Sequence, residues 1–251
     1  MPEAFIIGAQ KAGTTSLYQT LQHYPSVLPA KRKEHYFFHN EAHFKRGINW
    51  YKSGFASRWY AHSEYKKVKS SCFSIDATAN YFEFPETAAR IKSVIPQAKI
   101  IVLLRNPVHR AYSHYRMSVK LGFEKADFYT ALLQEMDRIQ WGEKKGGHNF
   151  AYQRLGYASK GKYAFLLKDW INHFGSQLLI VCSEELFLSP GEIMEKITRH
   201  LGISYIKEIK FEHENAGTES EIPDQAKDFL QRFFLEHNQE LRQLLNRDFP
   251  W

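Results

Sequence analysis

Lys11 sits between Gly8 and Gly13 and is followed by the hydroxyls of Thr14, Thr15 and Ser16. That set can hold an oxyanion. Glycines let the backbone wrap closely, helix-start N–H groups point at the anion, and the lysine adds a mobile charge. The order differs from the usual nucleoside-triphosphatase loop, in which the lysine follows the last glycine. A plain glycine turn accounts for the glycines, but not for a lysine together with three hydroxyls. A second basic set follows at Arg105-Asn106-Pro107-Val108-His109-Arg110-Ala111-Tyr112-Ser113. Arg105 closes an apolar run, and Asn106-Pro107 is a helix start. Alone, this arginine reads as a surface charge. With the first set it suggests a ligand carrying anionic groups at two places.

The elements that position these residues alternate. Apolar runs at Ala4–Ile7, Cys72–Ile75, Lys99–Leu104 and Leu178–Cys182 predict strands buried on both faces. Helical periodicity covers Thr15–His23, Glu86–Val94, Pro107–Lys120, Ala126–Ile139, Lys162–Phe174, Pro190–His200 and Asp224–Leu245. Ser189-Pro190-Gly191-Glu192 reads as a capping box. The expected fold class is therefore α/β: a central parallel sheet flanked by helices, with a P-loop-like phosphate-binding strand-loop-helix at its start. No repeat, linker or low-complexity tract appears, so residues 1–251 are expected to form one domain. The stretches 25–71, 141–160 and 212–222 lack strong periodicity and are expected to be functional loops.

Composition narrows the ligand. The net charge of +7 favours anionic partners, yet no long basic block marks nucleic acid. Cys72 and Cys182, the two cysteines, lie in apolar runs and read as buried free thiols. The twelve histidines show no metal-ligand spacing, so no metal is expected. No signal peptide or run of membrane-spanning length is seen. The expectation is a compact cytoplasmic enzyme with no membrane span, or a domain of a longer polypeptide. Trp50, Tyr51 and Tyr81 could line an acceptor cleft or pack in the core.

The two anion sets together resemble the PAPS-dependent sulfotransferases, and most of all their heparan-sulfate-type, N-sulfotransferase-like branch. The resemblance runs on through Arg46-Gly47-Ile48-Asn49-Trp50-Tyr51, Ala79-Asn80-Tyr81-Phe82, Gly161-Lys162-Tyr163-Ala164 and His237-Asn238-Gln239-Glu240-Leu241. It implies that PAPS (3′-phosphoadenosine 5′-phosphosulfate) is the donor and 3′,5′-phosphoadenosine (PAP) the product. It implies that Gln10, Lys11, Ala12, Gly13, Thr14, Thr15 and Ser16 bind the 5′-phosphosulfate. Arg105 and Ser113 would bind the 3′-phosphate, and Tyr163 would also contact the cofactor. Within Lys33-Glu34-His35-Tyr36-Phe37-Phe38, Glu34 takes the place of the family's general base, with Lys11 stabilising the leaving group. His35, Asp76 and Asn80 would contact the acceptor, a hydroxyl- or amine-bearing small molecule or carbohydrate.

Two departures stand out. The branch has a lysine where this chain has Ala77. Its Lys/Gly-rich cofactor loop is replaced by Gly217-Thr218-Glu219-Ser220-Glu221-Ile222-Pro223, with Lys160 and Lys162 as candidate substitutes. The alternatives are a nucleotide or small-molecule kinase with an unusual phosphate loop, for which Asp76 is the one magnesium-ligand candidate, and a non-catalytic binder of an anionic glycan or phosphonucleotide.

Overall fold

The computed structural model describes residues 1–56, 72–144, 150–212 and 221–251. Two compact units share the chain: Met1–Leu104 with Leu166–Ala216, and Arg105–Phe165 with Gly217–Trp251.

The first unit holds a five-stranded, all-parallel sheet. Its strands are β1 (Ala4–Gly8), β2 (Val27–Leu28), β3 (Phe73–Asp76), β4 (Lys99–Leu104) and β5 (Leu178–Cys182), in the order β2-β3-β1-β4-β5. Every residue of β1 and β3 is buried, as are Ile100–Leu104 of β4. Helices cover both faces of such a sheet, which is why these segments read as unbroken apolar runs. β4 and β5 pair in register from Ile100↔Leu178 to Leu104↔Cys182.

The strand order fixes where a ligand can bind. After β1 the chain builds β2 and β3 to one side and then β4 to the other. The crevice beyond the carboxyl end of β1 is therefore the topological switch point of the sheet. The glycine-lysine loop starts there.

The four predicted strands are present: Lys99–Leu104 and Leu178–Cys182 as expected, the other two with ends moved by one residue. β2, only two residues long, is too short to leave a pattern. The predicted Ala126–Ile139 helix is two helices, Phe128–Leu133 and Glu135–Lys144. The first is capped by Asp127, whose side chain accepts from the Thr130 N–H. The stretches read as irregular contain the short helices Glu41–Phe44, Gly47–Lys52 and Phe150–Leu155. The capping box is not formed. Proline does open the Pro190–Leu201 helix, but the Ser189 side chain makes no cap bond, and Glu192 pairs with Lys196. Ser189 also ends the preceding Ser183–Leu188 helix, which sets its backbone. Cys182 is buried and Cys72 half-buried; both are free thiols.

The second unit has its own core, built from Val108, Ala111, Phe128, Ala131, Leu132, Tyr157, Ala158, Ala226, Leu230 and Phe234. Buried Glu135 braces it by accepting from the N–H groups of Ala158 and Ser159 and from the Ser159 hydroxyl, at 2.6–2.8 Å. Phe229, Phe233 and Phe234 of the Asp224–Leu245 helix pack in or against this core. Among the described residues, no helix is long and apolar enough to cross a membrane.

Candidate active site

β1 ends at Gly8, and the loop it feeds is tightly specified. A Cβ on Gly8 would lie 2.6 Å from the Phe82 Cβ. The Ala9 N–H donates to the Leu103 carbonyl at 2.7 Å, and the Ala12 N–H returns to the Ala9 carbonyl at 3.0 Å. Lys11 holds a positive φ of 74°, and Gly13, the N-cap of the Thr14–Gln22 helix, has φ 91°. The Ser183 hydroxyl ties the Ala12 carbonyl from the β5 side at 2.6 Å. The first-turn N–H groups that follow have no carbonyl of their own helix to pair with. They sit at the positive end of the helix dipole, with the Thr14, Thr15 and Ser16 hydroxyls among them.

Gly13 carries a specific expectation. Its φ suits glycine, and an added Cβ would meet the Phe187 ring at 3.0 Å. Gly13→Ala should cost about 1–2 kcal/mol of stability in urea unfolding, because a side chain is forced into left-handed backbone. Ala12→Gly, which adds no clash, is the control.

Lys33 and Glu34 lie beside this loop. The Lys33 ammonium donates to Thr15 Oγ1 at 2.9 Å and to Thr14 Oγ1 at 3.4 Å, and stands 3.5 Å from Glu34 Oε1. The Tyr36 hydroxyl donates to the other carboxylate oxygen of Glu34. Burial pushes the Lys33 amine below the ordinary lysine value, against an upward pull from Glu34. The next two aromatics explain the placement. Phe37 and Phe38 are fully buried; Phe37 stacks on Tyr51 at 4.5 Å, and Phe38 meets Phe5 and Tyr81 edge-on. With these rings anchored in the core, the residues just before them stay near the surface, and the Glu34 side chain keeps 24% of its exposure.

Beneath this segment lies a buried carboxylate. Asp76 ends β3 and has no exposed surface. Its oxygens accept from the Thr78 hydroxyl at 2.6 Å, Tyr51 at 2.7 Å and Tyr81 at 2.9 Å. Thr78 in turn accepts from the His35 and Tyr36 N–H groups, and Tyr81 from the Phe37 N–H. The Ala77 N–H donates to the Lys33 carbonyl at 3.0 Å. The backbone N–H groups of His35, Tyr36 and Phe37 are thus fixed through hydroxyls to one charge. Burial raises the Asp76 carboxyl above the usual aspartate value, opposed by His35 and the three hydroxyls. His35 packs against Phe55 and Tyr51, and burial lowers its imidazole below the ordinary value, which keeps it neutral at pH 7.

Asp76 therefore does not sit as an acceptor contact would. Both its oxygens are taken by hydroxyls and it is closed to solvent, so it positions other groups. Tyr51 and Tyr81 are likewise core residues. Asn80 is half-buried and donates to Glu83. None of the residues in this brace stands out by type. The available signal was Thr78 two residues after Asp76, and Lys33 directly before Glu34.

In the second unit, Arg105 precedes the Pro107–Lys120 helix, which carries half-buried Ser113. The Asn106 side chain caps that helix by accepting from the Val108 and His109 N–H groups. Tyr163 is buried, and its hydroxyl donates to the Arg105 carbonyl at 2.8 Å. It steadies the arginine backbone. Lys160 departs from expectation: it is buried and donates to the Gln153 carbonyl at 2.8 Å. Lys162 lies with its ammonium 5.1 Å from the Phe233 ring centroid. Of the expected replacement loop, Gly217, Thr218, Glu219 and Ser220 lie outside the described residues.

Comparison with known proteins agrees with this geometry. Residues 1–234 match the sulfotransferase domain family. The chain is 24% identical to the membrane-associated sulfotransferase kil1 of Dictyostelium discoideum, covering all of this chain and 66% of that protein. It is 28% identical to bifunctional heparan sulfate N-deacetylase/N-sulfotransferase 4 of Mus musculus, covering 98% of this chain but 30% of that protein. The chain thus spans about two thirds of the first relative's length and under a third of the second's. A solved sulfotransferase from Alicyclobacillus acidocaldarius superposes with a TM-score of 0.74 at 27% identity, covering 99% of this chain and 97% of that one. With a glycine-lysine loop at the switch point of its sheet, a carboxylate braced beside that loop, and a family match over nearly its whole length, the chain belongs to the sulfotransferase family.

Proposed function

We propose that this chain transfers the sulfuryl group of PAPS to a hydroxyl or amine of a small-molecule or carbohydrate acceptor, with Glu34 as general base. The observation that carries this reading is the Glu34 carboxylate, held by the Asp76 brace next to the first turn of the anion loop. PAPS supplies an activated sulfuryl group and a phosphoadenosine leaving group. The loop fits its 5′ end: Gly8 and Gly13 allow its tight turn against Phe82 and Phe187, and the turn carries N–H groups, hydroxyls and Lys11. Gln10 through Ser16 hold the phosphosulfate, and Arg105 with Ser113 takes the 3′-phosphate. Glu34 removes the acceptor proton as the acceptor attacks, and Lys11 stabilises charge gathering on the leaving oxygen. Asn80 contacts the acceptor, and His35, whose ring packs on Phe55 and Tyr51, holds the segment in place.

Asp76 bears on the kinase alternative as well. It was the one candidate magnesium ligand, and its oxygens are already committed to three hydroxyls. We place the enzyme in the cytoplasm and treat residues 1–251 as one sulfotransferase domain, active without a metal; fractionation and chelator treatment check the first and last of these.

The test is binding followed by turnover. Purified protein should bind PAP at least tenfold more tightly than ATP, since ATP lacks the 3′-phosphate, and charge-assisted contacts to that group carry at least that difference. Isothermal titration reads it. Labelled PAPS, screened over sugars, phenols, amines and alcohols, should then give a labelled product. Tighter binding of ATP, with magnesium-dependent turnover, would favour the kinase.

A further inference from the structure

Arg110 and Glu135 are opposite in charge and buried, 0% and 2% exposed, and they meet through a third group. Arg110 lies on the Pro107–Lys120 helix, and Glu135 opens the Glu135–Lys144 helix. Among the described residues the guanidinium makes one hydrogen bond, from Nη2 to the Tyr157 carbonyl; its Nε and Nη1 meet no acceptor. The N–H of that same peptide unit belongs to Ala158 and donates to Glu135 at 2.7 Å. One peptide group therefore has a cation at its oxygen and a carboxylate at its N–H. Each charge polarises the peptide toward the other, which strengthens both bonds in a medium of low dielectric. Burying two charges is costly, and what that cost fixes is the segment 157–163. This segment meets the start of the Pro107–Lys120 helix again on either side of Gly161. A Cβ on Gly161 would lie 3.1 Å from the Pro107 Cβ, and Tyr163 donates to the Arg105 carbonyl at 2.8 Å. Arg110, three residues before Ser113, lies on the same side of that helix.

We propose that Arg110 and Glu135 are positioning residues for the second anion site. They clamp the segment 157–163 through the Tyr157–Ala158 peptide, so that Arg105 is held where it meets the 3′-phosphate. This rests on the donor reading above. Neither side chain touches the nucleotide; both act through the backbone that carries Arg105.

The experiment compares two nucleotides across a set of variants. PAP carries a 3′-phosphate, and adenosine 5′-phosphate lacks it. Isothermal titration is run on wild type, Arg110→Met, Arg110→Lys, Glu135→Gln and the double variant Arg110→Met with Glu135→Gln, with thermal melts on each. Arg110→Met is expected to weaken PAP binding about tenfold, the scale of one lost charge-assisted contact, and to leave adenosine 5′-phosphate binding unchanged. Arg110→Lys, which keeps a cationic donor for the Tyr157 carbonyl, should recover most of the loss. Glu135→Gln should shift PAP in the same direction by less, since its carboxamide oxygen still accepts. The double variant should lose no more than Arg110→Met does, because both residues act through one peptide. Equal losses for both nucleotides would show general destabilisation and overturn the proposal, as would unchanged PAP affinity in Arg110→Met or fully additive losses in the double variant. Should Arg110→Met fail to fold, the double variant, which leaves no unmatched buried charge, and Glu135→Gln are judged by the same nucleotide criteria. Wild type that binds both nucleotides equally overturns the reading of Arg105 as a 3′-phosphate contact, and this inference with it; wild type that prefers PAP while the variants keep that preference in full overturns this inference alone.

Discussion

Glu34→Gln is expected to lower sulfuryl transfer by about 10²–10⁴-fold, the range for loss of a positioned general base, with PAP affinity unchanged. The substitution keeps the side-chain shape, and the carboxamide oxygen can still accept from Tyr36. What disappears is the ability to take a proton. The neighbours offer no ready replacement. His35 is neutral at pH 7, but its ring is packed on Phe55 at 4.2 Å between centroids and meets Tyr51 edge-on. Lys33 is a donor to Thr15. Labelled PAPS with whichever acceptor wild type uses, alongside titration of PAP, separates the two quantities. A variant that transfers at the wild-type rate would remove Glu34 from the mechanism. A variant that loses PAP binding instead would make Glu34 part of the donor site, acting through Lys33.

The sequence carries the frame of this site more readily than its interior. The loop from Gly8 to Ser16 was legible because its residues are unusual together: two glycines, a lysine and three hydroxyls between an apolar strand and a helix. The parallel sheet was legible because buried strands leave unbroken apolar runs. Sequence patterns report burial and periodicity, and the two-residue β2 and the short helices within 41–52 are too brief for either. The brace under Glu34 was hidden for a different reason. Asp76, Thr78, Tyr51 and Tyr81 come from separate segments and meet only in the fold, and buried tyrosines look like any other core aromatics. The side-chain directions of Tyr163 and Lys160 were equally hidden. Each has a side chain suited to holding a nucleotide, and each is turned inward onto a backbone carbonyl. Residue type indicates what a side chain can bond to, whereas its direction depends on packing that no local pattern records.

The largest stability effect is expected at Asp76, and it should carry activity down with it. Asp76→Ala leaves three buried hydroxyls without their acceptor. At about 1–3 kcal/mol for each unsatisfied buried group, less what relaxation recovers, the loss should be about 3–5 kcal/mol. Asp76→Asn should fall between. Thr78 already accepts from two backbone N–H groups, so its proton must find an acceptor, and the asparagine carbonyl has to face it. The amide N–H₂ then meets Tyr51 and Tyr81, which can each turn to accept. Urea unfolding of the three proteins measures this order. The pH dependence gives an independent check. Because burial holds the Asp76 carboxyl above its unfolded value, the folded state keeps this proton over a pH range in which the unfolded state has released it. Across that window, upward from the ordinary aspartate value, Asp76 makes stability fall as pH rises. Asp76→Ala should remove that slope and flatten stability over the pH range just above the ordinary aspartate value. Transfer should drop in both variants, more in alanine, because the N–H groups of His35, Tyr36 and Phe37 lose their fixed acceptors and Glu34 with them its aim. An Asp76→Ala protein as stable as wild type, yet inactive, would move Asp76 from brace to direct participant.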